Sequence, residues 1–153
     1  MHILMCNDDG ILADGLRHLA SYLSQYYRIT VVAPANEQSA KSHALTTEVP
    51  LKLDAYNGED ENPRLYALTG TPSDCMKFGL SYLLTDDMPD LVISGINHGF
   101  NLGSDVLYSG TVSAAMESCF YGIPGLALSV ERYSAERGAE MHPFIHELID
   151  KIY

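Results

Sequence analysis

The stretch His2-Ile3-Leu4-Met5-Cys6-Asn7-Asp8-Asp9-Gly10 decides how the chain folds. His2 to Cys6 is a short apolar run, suited to one buried strand. Asn7-Asp8-Asp9-Gly10 is turn chemistry that stops it. Working outward, Leu12, Leu16, Leu19, Ala20 and Leu23 carry the spacing of an amphipathic helix. Ile29 to Ala33 is β-branched and reads as a second buried strand, ended by Pro34. Strand, helix and strand in immediate succession make a βαβ unit. Apolar runs this short suit a parallel sheet covered on both faces, so the expected class is α/β with a mostly parallel sheet.

The pattern continues along the chain. Residues 35–48 are polar and read as a long loop. Val49 to Asp54 and Leu65 to Leu68 read as two short strands around the acidic turn from Asn57 to Pro63. Thr71 caps a helix that has Pro72 at its first position and runs to about Leu84. Asp90 to Ser94 is another buried strand, and residues 95–110 form a loop rich in Gly, Asn and Ser. Val112, Ala115, Met116 and Cys119 mark a helix, and Gly125 to Val130 a strand. Met141, Phe144, Ile145, Leu148, Ile149 and Ile152 mark a last helix. That helix reaches Tyr153 without a C-cap glycine or an exit loop. The expectation is one domain over residues 1–153, cut from a longer protein.

With 153 residues, 46% hydrophobic and 19% charged, the chain can bury a core without staples. Nine Lys and Arg against 20 Asp and Glu give a net charge of −11. Such a surface repels a phosphate backbone, which argues against polymeric nucleic acid as a bulk partner. A small anionic substrate would need local positive charge, and a bound cation is the simplest source. Cys6, Cys75 and Cys119 are odd in number, widely spaced and in apolar stretches. They read as reduced, mostly buried thiols of a cytoplasmic protein. The N-terminus lacks a signal-peptide pattern, and the apolar runs are too short to cross a bilayer.

In open parallel sheets, ligands bind outside the carboxyl ends of the strands. Three polar clusters follow expected strands: Asn7 to Gly10, the 35–43 loop and the 95–110 loop. Asp8 and Asp9 are the sharpest feature. Adjacent carboxylates repel each other, and a hard divalent cation with oxygen ligands removes that cost; the plain alternative is an Asp-Asp-Gly turn. Tyr108-Ser109-Gly110-Thr111 precedes an apolar helix. It serves either as a simple helix cap or as an anion site at a helix N-terminus. Asn97 and Asn101 lie among Gly95, Gly99 and Gly103, whose lack of a side chain permits tight turns.

Other motifs are missing. Neither G-x-G-x-x-G nor G-x-x-x-x-G-K-[ST] occurs, so dinucleotide binding and P-loop chemistry have no motif support. The absence of G-x-S-x-G weakens a serine hydrolase. His142 and His146 stand at i, i+4, but no Glu follows His142 and the helix's apolar stripe explains the segment. His43, in the 35–43 loop, is the histidine expected nearest a site.

Taken together, four stretches resemble the SurE family of survival-protein nucleotidases, in order and at compatible spacing. They are MHILMCNDDGILADGLRHLA, APANEQSAKSHALT, YALTGTPSDCMKFGL and SGINHGFNLGSDVLYSGTVSAAMESCFYGIPGLALS, covering residues 1 to about 130. The resemblance implies a Rossmann-like three-layer fold and a 5′- or 3′-nucleotidase using one divalent metal ion, Mg²⁺ or Mn²⁺. It implies Asp8, Asp9, Ser39 and Asn97 as metal ligands, with Asp8 and Asp9 thereby part of catalysis. Asn101, Ser109, Gly110 and Thr111 match positions near the bound phosphate, and Asp105 matches an acidic position of the signature, a further catalytic candidate. The partner implied is a small-molecule nucleotide, with a homodimer or homotetramer for a chain of full family length. Two departures stand out: Asp14 replaces a frequent proline, and family members continue well beyond Tyr153 with an arm that joins subunits. A non-catalytic metal- or nucleotide-binding fragment is the alternative reading.

Overall fold

The computed structural model describes residues 1–152. Its centre is a six-stranded sheet in the order β3-β4-β2-β1-β5-β6. The strands are β1 (His2–Cys6), β2 (Arg28–Pro34), β3 (Leu53–Ala55), β4 (Arg64–Leu68), β5 (Leu91–His98) and β6 (Gly125–Val130). All neighbours run parallel except β3 against β4. The sheet is therefore mostly parallel, and the α/β, Rossmann-like expectation holds.

Alternation along β1 builds two cores, because successive side chains of a strand face opposite ways. Ile3 and Met5 pack under α1 (Asp14–Leu23) and α4 (Ala135–Ile152), with Leu16, Leu19, Leu23, Ile145 and Ile149. Leu4 and Cys6 pack under α2 (Pro72–Phe78) and α3 (Gly110–Cys119), with Met76, Leu80 and Ala114. These are the three layers. Leu16, Leu19 and Leu23 are fully buried, and each such side chain contributes about 1.5–3 kcal/mol over its exposed state.

Four boundaries differ from the sequence reading. The edge strand β3 is only Leu53–Ala55; Val49 is exposed and has no place in the sheet. The helix expected to reach Leu84 is regular only to Phe78, and Gly79–Leu83 continues as a π-helical turn. α4 begins at Ala135, six residues before its apolar stripe, because only its later turns reach the core. Most consequential for the site, β5 runs on from Ser94 to His98, into residues that look like loop. Pairing with β6 overrides their weak strand propensity: Asn97 pairs Ser129 and His98 pairs Val130 after an irregularity between Ser94 and Asn97. There, three steps on β5 oppose two on β6, a bulge of the kind that re-aims side chains. Gly95 inside it has φ +124, and a Cβ would run into the Leu128 carbonyl.

Candidate active site

β2 lies on one side of β1 and β5 on the other, so the strand order reverses at β1. At such a switch point the carboxyl ends of neighbouring strands open a crevice. Asp8 and Asp9 follow β1, Ser39 lies beyond β2, and Asn97 is near the carboxyl end of β5. All four line one cleft of about 350 Å³, with Asn101, Asp105 and Ser109 on the same wall set.

Asn7 shapes the turn: its amide donates to the Gly10 carbonyl and accepts from the Gly10 N–H, at 3.0 and 3.1 Å. Asp8 is thereby held at the strand end, buried. Burial pushes its carboxyl up from the usual range; the Thr111 hydroxyl pulls the other way, and Glu37 adds repulsion. Asp9 is likewise raised, first by burial and then by the Asp8 charge, with a backbone hydrogen bond from His98 opposing. Two neighbouring carboxyls, both pushed up chiefly by burial, are a site short of positive charge.

The remaining donors complete an oxygen set. Ser39 Oγ donates to Glu37 Oε1 at 2.6 Å, so its lone pairs stay available to a cation. Asn97 Nδ2 donates to the Gly99 carbonyl at 2.8 Å, so its amide oxygen is the atom of that side chain able to face a cation. Two carboxylates, a hydroxyl and an amide oxygen suit a hard divalent ion. Among the described residues no three His, Cys, Asp or Glu cluster so as to hold a metal ion; Ser39 and Asn97 add neutral oxygens beside the two carboxyls.

The residues expected beside a phosphate divide. Ser109 caps α3, its Oγ accepting from the Val112 N–H at 3.1 Å. Gly110 lies against Asp8: a Cβ there would sit 2.9 Å from Asp8 Cβ and 3.1 Å from Oδ2. Thr111 is turned to Asp8, donating from Oγ1 to Oδ1 at 2.6 Å. Asn101 Nδ2 donates to Ser129 Oγ at 2.7 Å. Asp105 is exposed on the 3-10 turn Gly103–Leu107 and faces the cleft.

Some residues fall elsewhere, and some are new. His43 is not in this cleft; it pairs with Glu117 in a second one lined also by Leu45, Lys77, Phe120 and Tyr121. His142 is buried against Tyr22 while the His146 ring lies tilted against Tyr26, so each is held by a different aromatic neighbour. Cys6 and Cys75 are buried free thiols, but Cys119 is exposed. Glu37, His98 and Phe100 have no role in the sequence reading, and Tyr108 enters it only as the start of the Tyr108-Ser109-Gly110-Thr111 stretch. His98, Phe100 and Tyr108 line the cleft, and Glu37 adds to the carboxylate crowding. All four lie inside the quoted motifs, which was the one signal available.

A family model described as "Survival protein SurE" matches residues 3–153. The chain belongs to the SurE family. It is 49% identical over 152 residues to a protein of Thermoanaerobacter sp. (strain X514) named 5′-nucleotidase SurE. That match covers 99% of this chain and 60% of the relative. A protein of the same name from Vibrio vulnificus (strain YJ016) is 50% identical over 130 residues, covering 85% of this chain and 49% of its own. The crystal structure of the SurE protein from Aquifex aeolicus superposes with a TM-score of 0.86 at 38% identity, over 99% of this chain and 60% of that one. The chain thus spans about half to 60% of the length of these SurE relatives.

Proposed function

We propose that this chain carries the catalytic site of a divalent-cation-dependent phosphomonoesterase, hydrolysing nucleoside monophosphates to nucleoside and phosphate. The observation that carries the reading is the meeting of Asp8, Asp9, Ser39 and Asn97 around one cleft beside the start of α3. The substrate class comes from the relatives' name, 5′-nucleotidase; whether 3′-nucleotides are also cut belongs to the same proposal.

One Mg²⁺ or Mn²⁺ would be held by Asp8, Asp9, Ser39 and Asn97, and when bound it supplies Lewis acidity toward a phosphoryl oxygen and water. The protein's own groups do the rest. Thr111 and Gly110 fix the Asp8 carboxylate. Asn101 and the Ser109 end of α3 present donors to the equatorial phosphoryl oxygens, where charge builds as the P–O bond to ribose breaks. Asp105 is assigned the proton of the attacking water. For a chain of the relatives' full length we propose a homodimer or homotetramer. A cytoplasmic site of action fits the three free thiols; no helix among the described residues is long and apolar enough to cross a membrane.

Phosphate release from a panel of nucleoside monophosphates, with Mg²⁺, Mn²⁺ or EDTA, tests this on the 153-residue chain. Release that EDTA abolishes, and that Asp8→Ala loses, is expected. Cation binding without release from any substrate would favour the non-catalytic binding fragment instead.

A further inference from the structure

The loop after β2 is tied down more firmly than a connection requires. Ser42 donates its N–H to the Tyr108 carbonyl at 3.1 Å and its hydroxyl to the Leu107 carbonyl at 2.9 Å. The next residue, His43, places Nε2 2.6 Å from Glu117 Oε2. Farther on, the Thr71 hydroxyl donates to the Ala44 carbonyl at 2.6 Å. Thr46 gives both its N–H and its hydroxyl to Asp74, at 2.9 and 2.6 Å. Ala40 and Ser42 stand at φ +57 and +53. Residues with a Cβ hold the left-handed region only where surrounding contacts over-determine the backbone.

Glu117 leads to the same loop from the other side. Its side chain is 6% exposed on α3, and a carboxylate so buried needs a partner. Lys77 Nζ is 4.0 Å away and half-exposed; His43 is the group at hydrogen-bonding distance. The buried carboxylate on α3 is thus satisfied chiefly from the loop.

We propose that Ser42 and His43 are positioning residues that clasp the two walls of the cleft into one body. One wall carries Ser39; the other carries Asp105, Tyr108 and Ser109. The Ser42 bonds land on Leu107 and Tyr108, immediately before the residue that caps α3, and the His43 bond lands farther along α3. Three hydrogen bonds thus tether the loop that carries Ser39 to the wall that carries Ser109. The role rests on the reading of the cleft given under Proposed function. Neither residue touches substrate; both act through the groups they hold.

The test uses His43→Ala, Ser42→Ala and Glu117→Gln, the last keeping an acceptor for a neutral imidazole. Amide hydrogen exchange without added cation should rise together in residues 38–44 and 103–109 for the two alanine variants. Mn²⁺ affinity by calorimetry should fall about 10-fold, the effect of losing a group that orients a ligand. kcat should fall more than KM changes, and Glu117→Gln should stay nearer wild type. Ser42→Ala keeps its backbone bond to Tyr108 and so serves where His43→Ala fails to fold. Exchange rising only in 38–44, or Mn²⁺ affinity unchanged in a variant with a loosened loop, would overturn the clasp. A wild-type chain that binds no Mn²⁺ overturns the cleft reading itself, and with it the role; wild-type binding matched by the variants overturns the clasp alone.

Discussion

Thr111 Oγ1 donates to Asp8 Oδ1 at 2.6 Å, joining residues 103 apart in the chain. The bond crosses from the turn after β1 to the first turn of α3, and both residues are buried. It orients one carboxylate of a pair that repels itself.

Thr111→Val keeps the shape of the side chain and deletes the donor. A hydrogen bond to a charged group contributes about 1.5–3 kcal/mol. The Asp8 carboxyl should move further up, and Mn²⁺ binding should weaken by about 10- to 100-fold. Calorimetry decides it; wild-type affinity would mean that the bond orients nothing the cation uses.

Gly110→Ala probes the same contact from the backbone. Its Cβ would press on Asp8 Cβ, on Asp8 Oδ2 and on Pro72 Cγ, which lies 3.1 Å away. Overpacking of this kind costs about 1–3 kcal/mol. Turnover should fall more than tenfold with a modest loss in Tm. Full activity would show that α3 and the turn separate freely.

Stability without cation should depend on pH in a direction set by Asp8 and Asp9. Both folded carboxyls titrate above their ordinary value. Their contribution is present below that value and is lost as pH rises through the raised one. Above about pH 4, the Tm gain from added Mg²⁺ should therefore grow with pH. A gain that is flat from pH 4 to 7 would count against a cation at these two carboxylates.

His2 sets the opposite slope at the other end of the sheet. Its ring contacts the Asp87 carbonyl at 3.1 Å and the Thr30 hydroxyl at 2.9 Å. Arg64 also donates to that Thr30 hydroxyl, so Thr30 gives its proton to a neutral imidazole. Burial, then Arg28, holds the His2 pKa below its ordinary value. This stabilisation is complete above about pH 6.5 and fades as pH falls. Urea unfolding of wild type and His2→Asn should give lower stability for the variant at pH 7.5 and a smaller gap at pH 5.5. A gap that does not narrow would show that the ring does not titrate with folding.

Much of the fold and of the candidate site was legible in local pattern. Residues 2–34 read as strand, turn, helix and strand because period and turn chemistry are properties of neighbours along the chain. Asp8 and Asp9 stood out because crowded like charge is visible without a fold. Asn97 stands in a segment that reads as loop, because its strand depends on pairing with Ser129 of β6, far along the chain. His43 looked close to the site from its loop, yet faces Glu117. A side chain's direction in an irregular segment follows from its anchors, which lie in other elements.

By itself, then, the amino-acid order determined the α/β class, the strand ends that carry polar clusters, and the oxygen-rich character of those clusters. Folding decided which clusters meet. The order β2-β1-β5 sets three strand ends side by side, the bulge in β5 brings Asn97 to the cleft, and Gly110 lets α3 close on Asp8. These outcomes arise from pairing and packing between residues far apart in the chain, and no local propensity encodes them.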